Sequence, residues 1–252
     1  MGVRKGSVRQ MMREFTNSPL VNLINLSPHM NSPRNQPISK ITWHHFAGNP
    51  SIEAVSDFLR QSSRRASYNY GVGSDGRIVL IVEERNRCWG SSSAWNDHRA
   101  VVIGVANNTR EPHWTVSDTA FESAINLTAD VCKRNGIKEL VYDGTRYGSK
   151  TRHNFFSATL CPGPYLQSRL PVIVDIVNER LATGVDVTIG GVTLNVPAKN
   201  VGGRWVLSLP EGPEGQPQPD VLLRVVLERF GLQVNWNEAT ESILTVPKRN
   251  TL

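Results

Sequence analysis

An α/β domain followed by a small α+β module is the fold this sequence predicts, and three observations lead there. Strand-like and helix-like segments alternate across residues 40–182, the pattern of a sheet layered between helices. Residues 100–106 (AVVIGVA) form an unbroken apolar run, as expected of a central strand covered on both faces. Beyond Leu181 the sequence changes to short alternating strands and a stretch rich in Pro and Gly. The expected class is therefore α/β, a central mixed β-sheet flanked by helices, with a small α+β module at the C-terminal end. The expected boundaries are 1–37 for an N-terminal arm, 38–182 for the main domain and 184–252 for the module. A chain of 252 residues is long enough for two such bodies and can bury a core without disulfides.

The arm is rich in Asn, Ser and Pro, with one short apolar stretch at 20–24, and reads as a loop that wraps or leads into the domain. Ile41-Thr42-Trp43 reads as a buried strand running straight into His44-His45. Asn49 is the expected cap of the next helix, with Pro50 in its first turn. Ile52, Val55, Phe58 and Leu59 then form one apolar stripe. Residues 68–72 and 78–82 flank Ser74-Asp75-Gly76, a hairpin signal. Residues 117–135 are helical by pattern, with Lys133-Arg134 in the last turn and Gly136 just past it. Leu166, Leu170, Ile173, Val177 and Leu181 mark another helix, expected to kink at Pro171. In the module, 187–189 and 192–194 read as strands around Gly190-Gly191. Residues 210–219 read as an exposed loop, 221–230 as a helix, and 233–236 and 242–246 as strands.

Composition narrows the partners. The formal charge is +6 and the sequence pI is about 9.5, which favours polyanions. The basic residues are scattered, and no basic helix or RNA-binding aromatic motif is visible, so no specific nucleic-acid partner is expected. No stretch approaches the roughly 20 apolar residues that span a bilayer, so no membrane span is expected. The N-terminus is basic but lacks an apolar signal core, and synthesis in the cytoplasm without a signal peptide is the expectation. Three cysteines at wide spacing imply no disulfide framework.

Three segments carry side chains suited to a metal: His44 at a strand end, then His153 and Cys161 in HNFFSATLCP. Two imidazoles and a thiolate leave one tetrahedral position free, the pattern of a catalytic rather than a structural zinc site. Taken singly, a His or Cys in such a place is more often a buried, hydrogen-bonded residue than a ligand. Adjacent strand residues point to opposite faces, so His44 and His45 do not both serve one ion, and His44 is preferred. Cys88 and Cys132 read as buried thiols, His29 and His113 as structural, and Trp43 as core. Trp89 and Trp95 offer flat faces to sugar rings. His98 is expected in a loop bordering the cleft, touching substrate or facing solvent.

These landmarks resemble the type-2 N-acetylmuramoyl-L-alanine amidases, a family that includes phage lysozymes and peptidoglycan recognition proteins. The matching features, in order, are Ile41 to Gly48 (ITWHHFAG), Tyr68 to Gly76 (YNYGVGSDG), Cys88-Trp89-Gly90, the 100–106 strand, and His153 with Cys161-Pro162. The resemblance implies a Zn2+ cofactor held by His44, His153 and Cys161, with Tyr68 and Thr159 catalytic. It implies hydrolysis of the amide between N-acetylmuramic acid and L-Ala of peptidoglycan, by a phage endolysin or bacterial autolysin acting on the wall after release. The sequence departs from the family pattern where Thr159 replaces a lysine found in some members and Ser92 a common histidine. No glutamate stands out as proton donor to the leaving amine. The alternative is a non-catalytic peptidoglycan-binding recognition module, which the presence of Cys161 disfavours. Residues 221–246 resemble the small repeat at the front of copper amine oxidases, and its expected role is to grip the wall or to pair subunits as a homodimer, the alternative being a structural cap on the main domain.

Overall fold

The computed structural model describes residues 16–182 and, beyond them, the backbone of six strands between Val185 and Pro247. The chain divides after Leu181 into two compact units. In the first, the elements in chain order are β1 (Leu23–Ile24), β2 (Met30–Asn31), β3 (Lys40–His45), α1 (Ile52–Arg60), β4 (Tyr70–Val72) and β5 (Ile78–Leu80). Next come β6 (Arg87–Cys88), α2 (Ala94–Asp97), β7 (Ala100–Val105), α3 (Asp118–Asn135), β8 (Lys150–Arg152) and α4 (Gly163–Leu181), with one 3-10 turn at His153–Phe155. The main sheet runs β1-β5-β4-β7-β3-β8. Only β4 and β5 pair antiparallel within it; the other pairs are parallel.

Both faces of that sheet are covered, and the alternation of strand side chains divides the core in two. Ile41, Trp43, Val101, Ile103 and Val105 pack with α3 and α4 in one cluster. Ala100, Val102, Val79 and Ile81 pack against Ile52, Val55 and Leu59 of α1 in the other. Every residue of β3 and of β7 is buried, which is why the 100–106 run carries no polar alternation.

Local chemistry sets the helix ends. Ser117 caps α3, its hydroxyl accepting from the Ala120 amide, and Gly136 closes it in the left-handed conformation at φ 70°, as the sequence predicts. The start of α1 differs from expectation: Ser51 is the cap, accepting from the Ala54 amide, and Asn49-Pro50 lie before it. Phe58 also leaves the buried stripe. It is 43% exposed, with the Arg64 guanidinium 3.9 Å from its ring centroid, while Ser56 takes the buried position. Pro171 lies inside α4.

The arm is more than a lead-in. β1 adds a parallel edge strand to β5, and β2 pairs with β6 in a separate two-stranded ribbon. Arg34, only 5% exposed, donates to the carbonyls of Glu84 (2.6 Å), Asn86 (3.0 Å), His98 (2.9 Å) and Ala100 (3.2 Å). One guanidinium thereby stitches three chain segments at the N-terminal end of β7.

In the second unit, β9 (Val185–Ile189) pairs with β10 (Val192–Val196), β11 (Ala198–Val201) with β12 (Arg204–Leu207), and β13 (Leu232–Asn237) with β14 (Ser242–Pro247), each antiparallel. The expected loop at 210–219 and helix at 221–230 lie outside the described residues.

Replacing Arg34 with Met strands several buried carbonyls, each costing roughly 1–3 kcal/mol when left unpaired. The Arg34→Met variant is expected to lose about 3 kcal/mol or more of stability in urea unfolding followed by tryptophan fluorescence; a change below about 1 kcal/mol would contradict this role.

Candidate functional site

The site is assembled at the C-terminal ends of β3 and β8. The two strands run parallel, with Trp43 opposite Arg152, so the residue following each, His44 and His153, emerges at the same level. Their ring centroids lie 4.4 Å apart. Cys161 returns on the loop before α4 and brings its Sγ to 3.5 Å from His44 Nδ1. One donor atom from each of His44, His153 and Cys161 falls within 4.8 Å of the others. The cluster contains no carboxylate, and buried Nε2 atoms of both histidines have no hydrogen-bond partner within the protein.

Burial dominates the electrostatics. His44 is held well below its usual pKa by desolvation first and then by the neighbouring His153, His45 and Lys150. His153 is lowered by the same burial. Desolvation pushes the Cys161 thiol up to about 12. Without a cation the three groups therefore rest as neutral imidazoles and a protonated thiol, all of which can exchange a proton or lone pair for a metal bond.

His44 and His45 face opposite sides of the sheet, as strand geometry requires. The His44 ring lies 4.9 Å from the Tyr68 ring, on the α1 side. His45 lies edge-on to Trp114 at 4.9 Å and beside Gly163, and burial brings its pKa down to about 4.

Tyr68 stands two residues before β4 begins, and two features hold it there. Asn69 bridges the gap in the sheet: its amide and side-chain oxygen pair with Val102, and its side-chain nitrogen donates to the Val82 carbonyl. Gly104 supplies the room, since a Cβ there would lie 2.4 Å from the Phe46 ring and 2.8 Å from the Tyr68 ring. Phe46 stacks on Tyr68 at 6.0 Å. Burial raises the Tyr68 phenol above its ordinary pKa, so it stays protonated and able to donate. Thr159 is half-buried, and its Oγ1 accepts from the Cys161 amide at 3.2 Å. A groove of about 440 Å³ opens beside Tyr68, lined by Phe46, Val55, Phe58, Leu59 and Arg64 among others.

Other sequence-derived candidates fall elsewhere. His98 does not border the cluster: it precedes β7, whose Ala100 pairs with Lys40 at the far end of β3, roughly 13 Å along the strand from His44. There its Nδ1 accepts from the Asn35 amide. Trp43 is fully buried, donating to Thr128 at 3.1 Å. Trp89 donates to Asn31, and His29 bonds the Gln61 carbonyl. Cys88 and Cys132 are buried free thiols. Asn69 and Trp114 are the residues the sequence reading missed. Nothing in their local pattern marks them, although an Asn between two strand tyrosines is a polar group that must find partners once buried.

Residues 34–164 match the family model described as N-acetylmuramoyl-L-alanine amidase. Among solved structures, the hydrolase AmiA of Staphylococcus aureus, in complex with its ligand, is 16% identical with a TM-score of 0.50, covering 63% of this chain and 82% of that one. The endolysin N-acetylmuramoyl-L-alanine amidase LysCS from Clostridium intestinale is 19% identical with a TM-score of 0.45, covering 61% and 97%. At 16% identity the likeness to AmiA concerns the fold alone. No curated protein matches. The family model spans more than half of the 252 residues, and it covers the strand that carries His44 and the loop that carries Cys161. The chain belongs to the N-acetylmuramoyl-L-alanine amidase family.

Proposed function

We propose that this chain is a zinc-dependent amidase that hydrolyses the bond between N-acetylmuramic acid and the L-Ala of the peptidoglycan stem, working as a phage endolysin or autolysin on the wall. The observation that carries the reading is the convergence of His44, His153 and Cys161 within 4.8 Å, next to Tyr68. The donor set suits zinc, which takes imidazole nitrogen at about 2.0–2.1 Å and thiolate at about 2.3 Å. Tetrahedral placement at those lengths separates a nitrogen from a sulfur by about 3.6 Å, and the His44 Nδ1 to Cys161 Sγ distance is 3.5 Å. His44, His153 and Cys161 would hold the ion, leaving one position open. Zinc bound there supplies a Lewis acid for the scissile carbonyl and for a water nucleophile.

The chain's own residues do the positioning. Tyr68, kept protonated by burial and fixed by Asn69, donates a hydrogen bond to the oxygen on which negative charge develops. Thr159 accepts from the Cys161 amide, which leaves its hydroxyl hydrogen for substrate. The groove beside Tyr68 offers apolar walls and the Arg64 guanidinium to the rest of the muropeptide. We assign residues 38–182 to catalysis and 184–252 to wall gripping or subunit pairing.

Purified protein acting on Gram-positive walls is expected to release new L-Ala amino groups. Chelation should abolish this release and Zn2+ restore it, while Cys161→Ser should lose both zinc and activity. New reducing sugar ends would instead show glycosidase chemistry, and muropeptide binding without cleavage would show a recognition protein. Tyr68→Phe is expected to lower kcat by about 10²–10³ with zinc content unchanged; full activity in that variant would remove Tyr68 from the mechanism.

Acid sensitivity of the metal-free protein follows from His44, His45 and His153, all lowered chiefly by burial. Their folded pKa values lie below those of the unfolded chain, so the unfolded state binds more protons as pH falls below about 6.5. This contribution to stability is intact above that pH and is lost progressively as pH drops towards about 4, the value for His45. The melting temperature of the chelated protein should therefore fall steadily between pH 7 and 4.5, and a flat profile would refute the assignment.

A further inference from the structure

At the far end of the sheet, three cations surround one exposed indole. Trp95 of α2 is 41% exposed. Lys40 Nζ and the Arg99 guanidinium each lie 5.1 Å from its ring centroid, and Arg146 lies 6.0 Å away. Tyr147, 73% exposed, meets the same ring edge-on at 6.3 Å, and Arg146 also lies 5.2 Å from the Phe156 ring. The arrangement is built, not incidental. The Lys40 ammonium donates to the carbonyls of Arg146, Tyr147 and Gly148, clamping that loop beside the indole, and Arg99 donates to the Trp95 carbonyl.

Charge on this surface is poorly compensated. Among the described residues, no ion pair involves Lys40, Arg99 or Arg146. Lys40 feels both arginines as like charges, with Asp143 alone opposing them. Because cations already lie against the indole, the ring is a poor platform for a sugar face. What the patch offers is attraction for an anion, and arginine forks match phosphate oxygens well. Lys40 is spent on backbone carbonyls, so two accessible arginines remain. That is too few for a DNA duplex, whose binders typically neutralise about 6–10 phosphates, but it suits a flexible chain presenting phosphates singly. Lys40 and His44 are four residues apart on β3, roughly 13 Å, so an occupant here leaves the cluster clear.

We propose that Trp95, Arg99, Arg146 and Tyr147 form a second binding surface, for a polyol-phosphate polymer of the kind attached to Gram-positive walls. The wall setting rests on the amidase reading, but binding is measurable without it. Purified soluble glycerol-phosphate teichoic acid is titrated into the full-length protein by calorimetry at low and high salt. Binding should weaken with salt, and the Arg99→Ala/Arg146→Ala double variant should lose at least tenfold in affinity. Melting temperature and cleavage of a small soluble muropeptide should stay unchanged. Arg146→Glu, at a fully surface position, should give the same loss and guards against a folding defect in the double variant. Unaltered affinity in both variants would overturn the proposal, as would tighter binding of duplex DNA through the same residues. A wild-type protein that binds the polymer but cleaves no muropeptide would sink the amidase reading and leave this surface standing.

Discussion

The register between two parallel strands is the constraint on which the site depends. Trp43 faces Arg152 across the β3–β8 pair, and this one alignment delivers His44 and His153 to the same height although they lie far apart in the chain. Slipping β8 by one residue would turn His153 to the opposite face of the sheet. The packing on both sides keeps that from happening: Ile41 and Trp43 are locked against α3 and α4, and Thr42 and Thr151 share a buried hydroxyl contact of 2.8 Å. The α/β architecture thus acts as a jig, with loops supplying only the third donor, Cys161.

Polar anchors away from the cluster make that jig rigid. Glu84, fully buried, accepts from Arg134 (2.6 Å), from the Tyr70 hydroxyl (2.6 Å) and from Asn135 (3.0 Å). It ties the segment after the β4–β5 hairpin to α3 with every contact charge-assisted. Arg34 performs the matching task at the start of β7. Between these two fixed points the strands carrying His44 and Gly104 have little freedom, and Gly104 leaves Phe46 and Tyr68 a single place to stack. A neutral buried donor set held this firmly needs little reorganisation to accept a cation.

Much of this was legible in residue pattern alone, and the failures have physical causes. Strand β7 announces itself because apolar residues fill both faces, β3 through Ile41-Thr42-Trp43, and α3 because its caps, Ser117 and Gly136, obey local rules. The strand that matters equally, β8, is invisible: Lys-Thr-Arg is short and polar, and its pairing is decided by tertiary contact. Tyr68 reads as strand, whereas pairing starts at Tyr70 because Asn69 substitutes side-chain bonds for a ladder. Phe58 fits the helical period of α1 yet lies outward under the Arg64 guanidinium, while Ser56, bonded to Asn25, takes the buried position. His98 was misplaced because sequence order says nothing about which end of a strand a loop occupies. The cationic ring around Trp95 draws on residues 40, 95, 99 and 146, a spacing without any motif.

Strand β1 has a consequence for how the molecule behaves in company. An uncovered sheet margin offers a row of free backbone groups to any neighbouring polypeptide and is the usual starting point for aggregation. On this side the margin is sealed by the protein's own leading segment, which lies parallel to β5, while the opposite margin is only the three residues of β8. Protection of the first unit's sheet is thus entrusted to residues far from the His44–His153–Cys161 cluster, and a shortened version beginning after Ile24 would retain that cluster while presenting the longer β5 as a bare border.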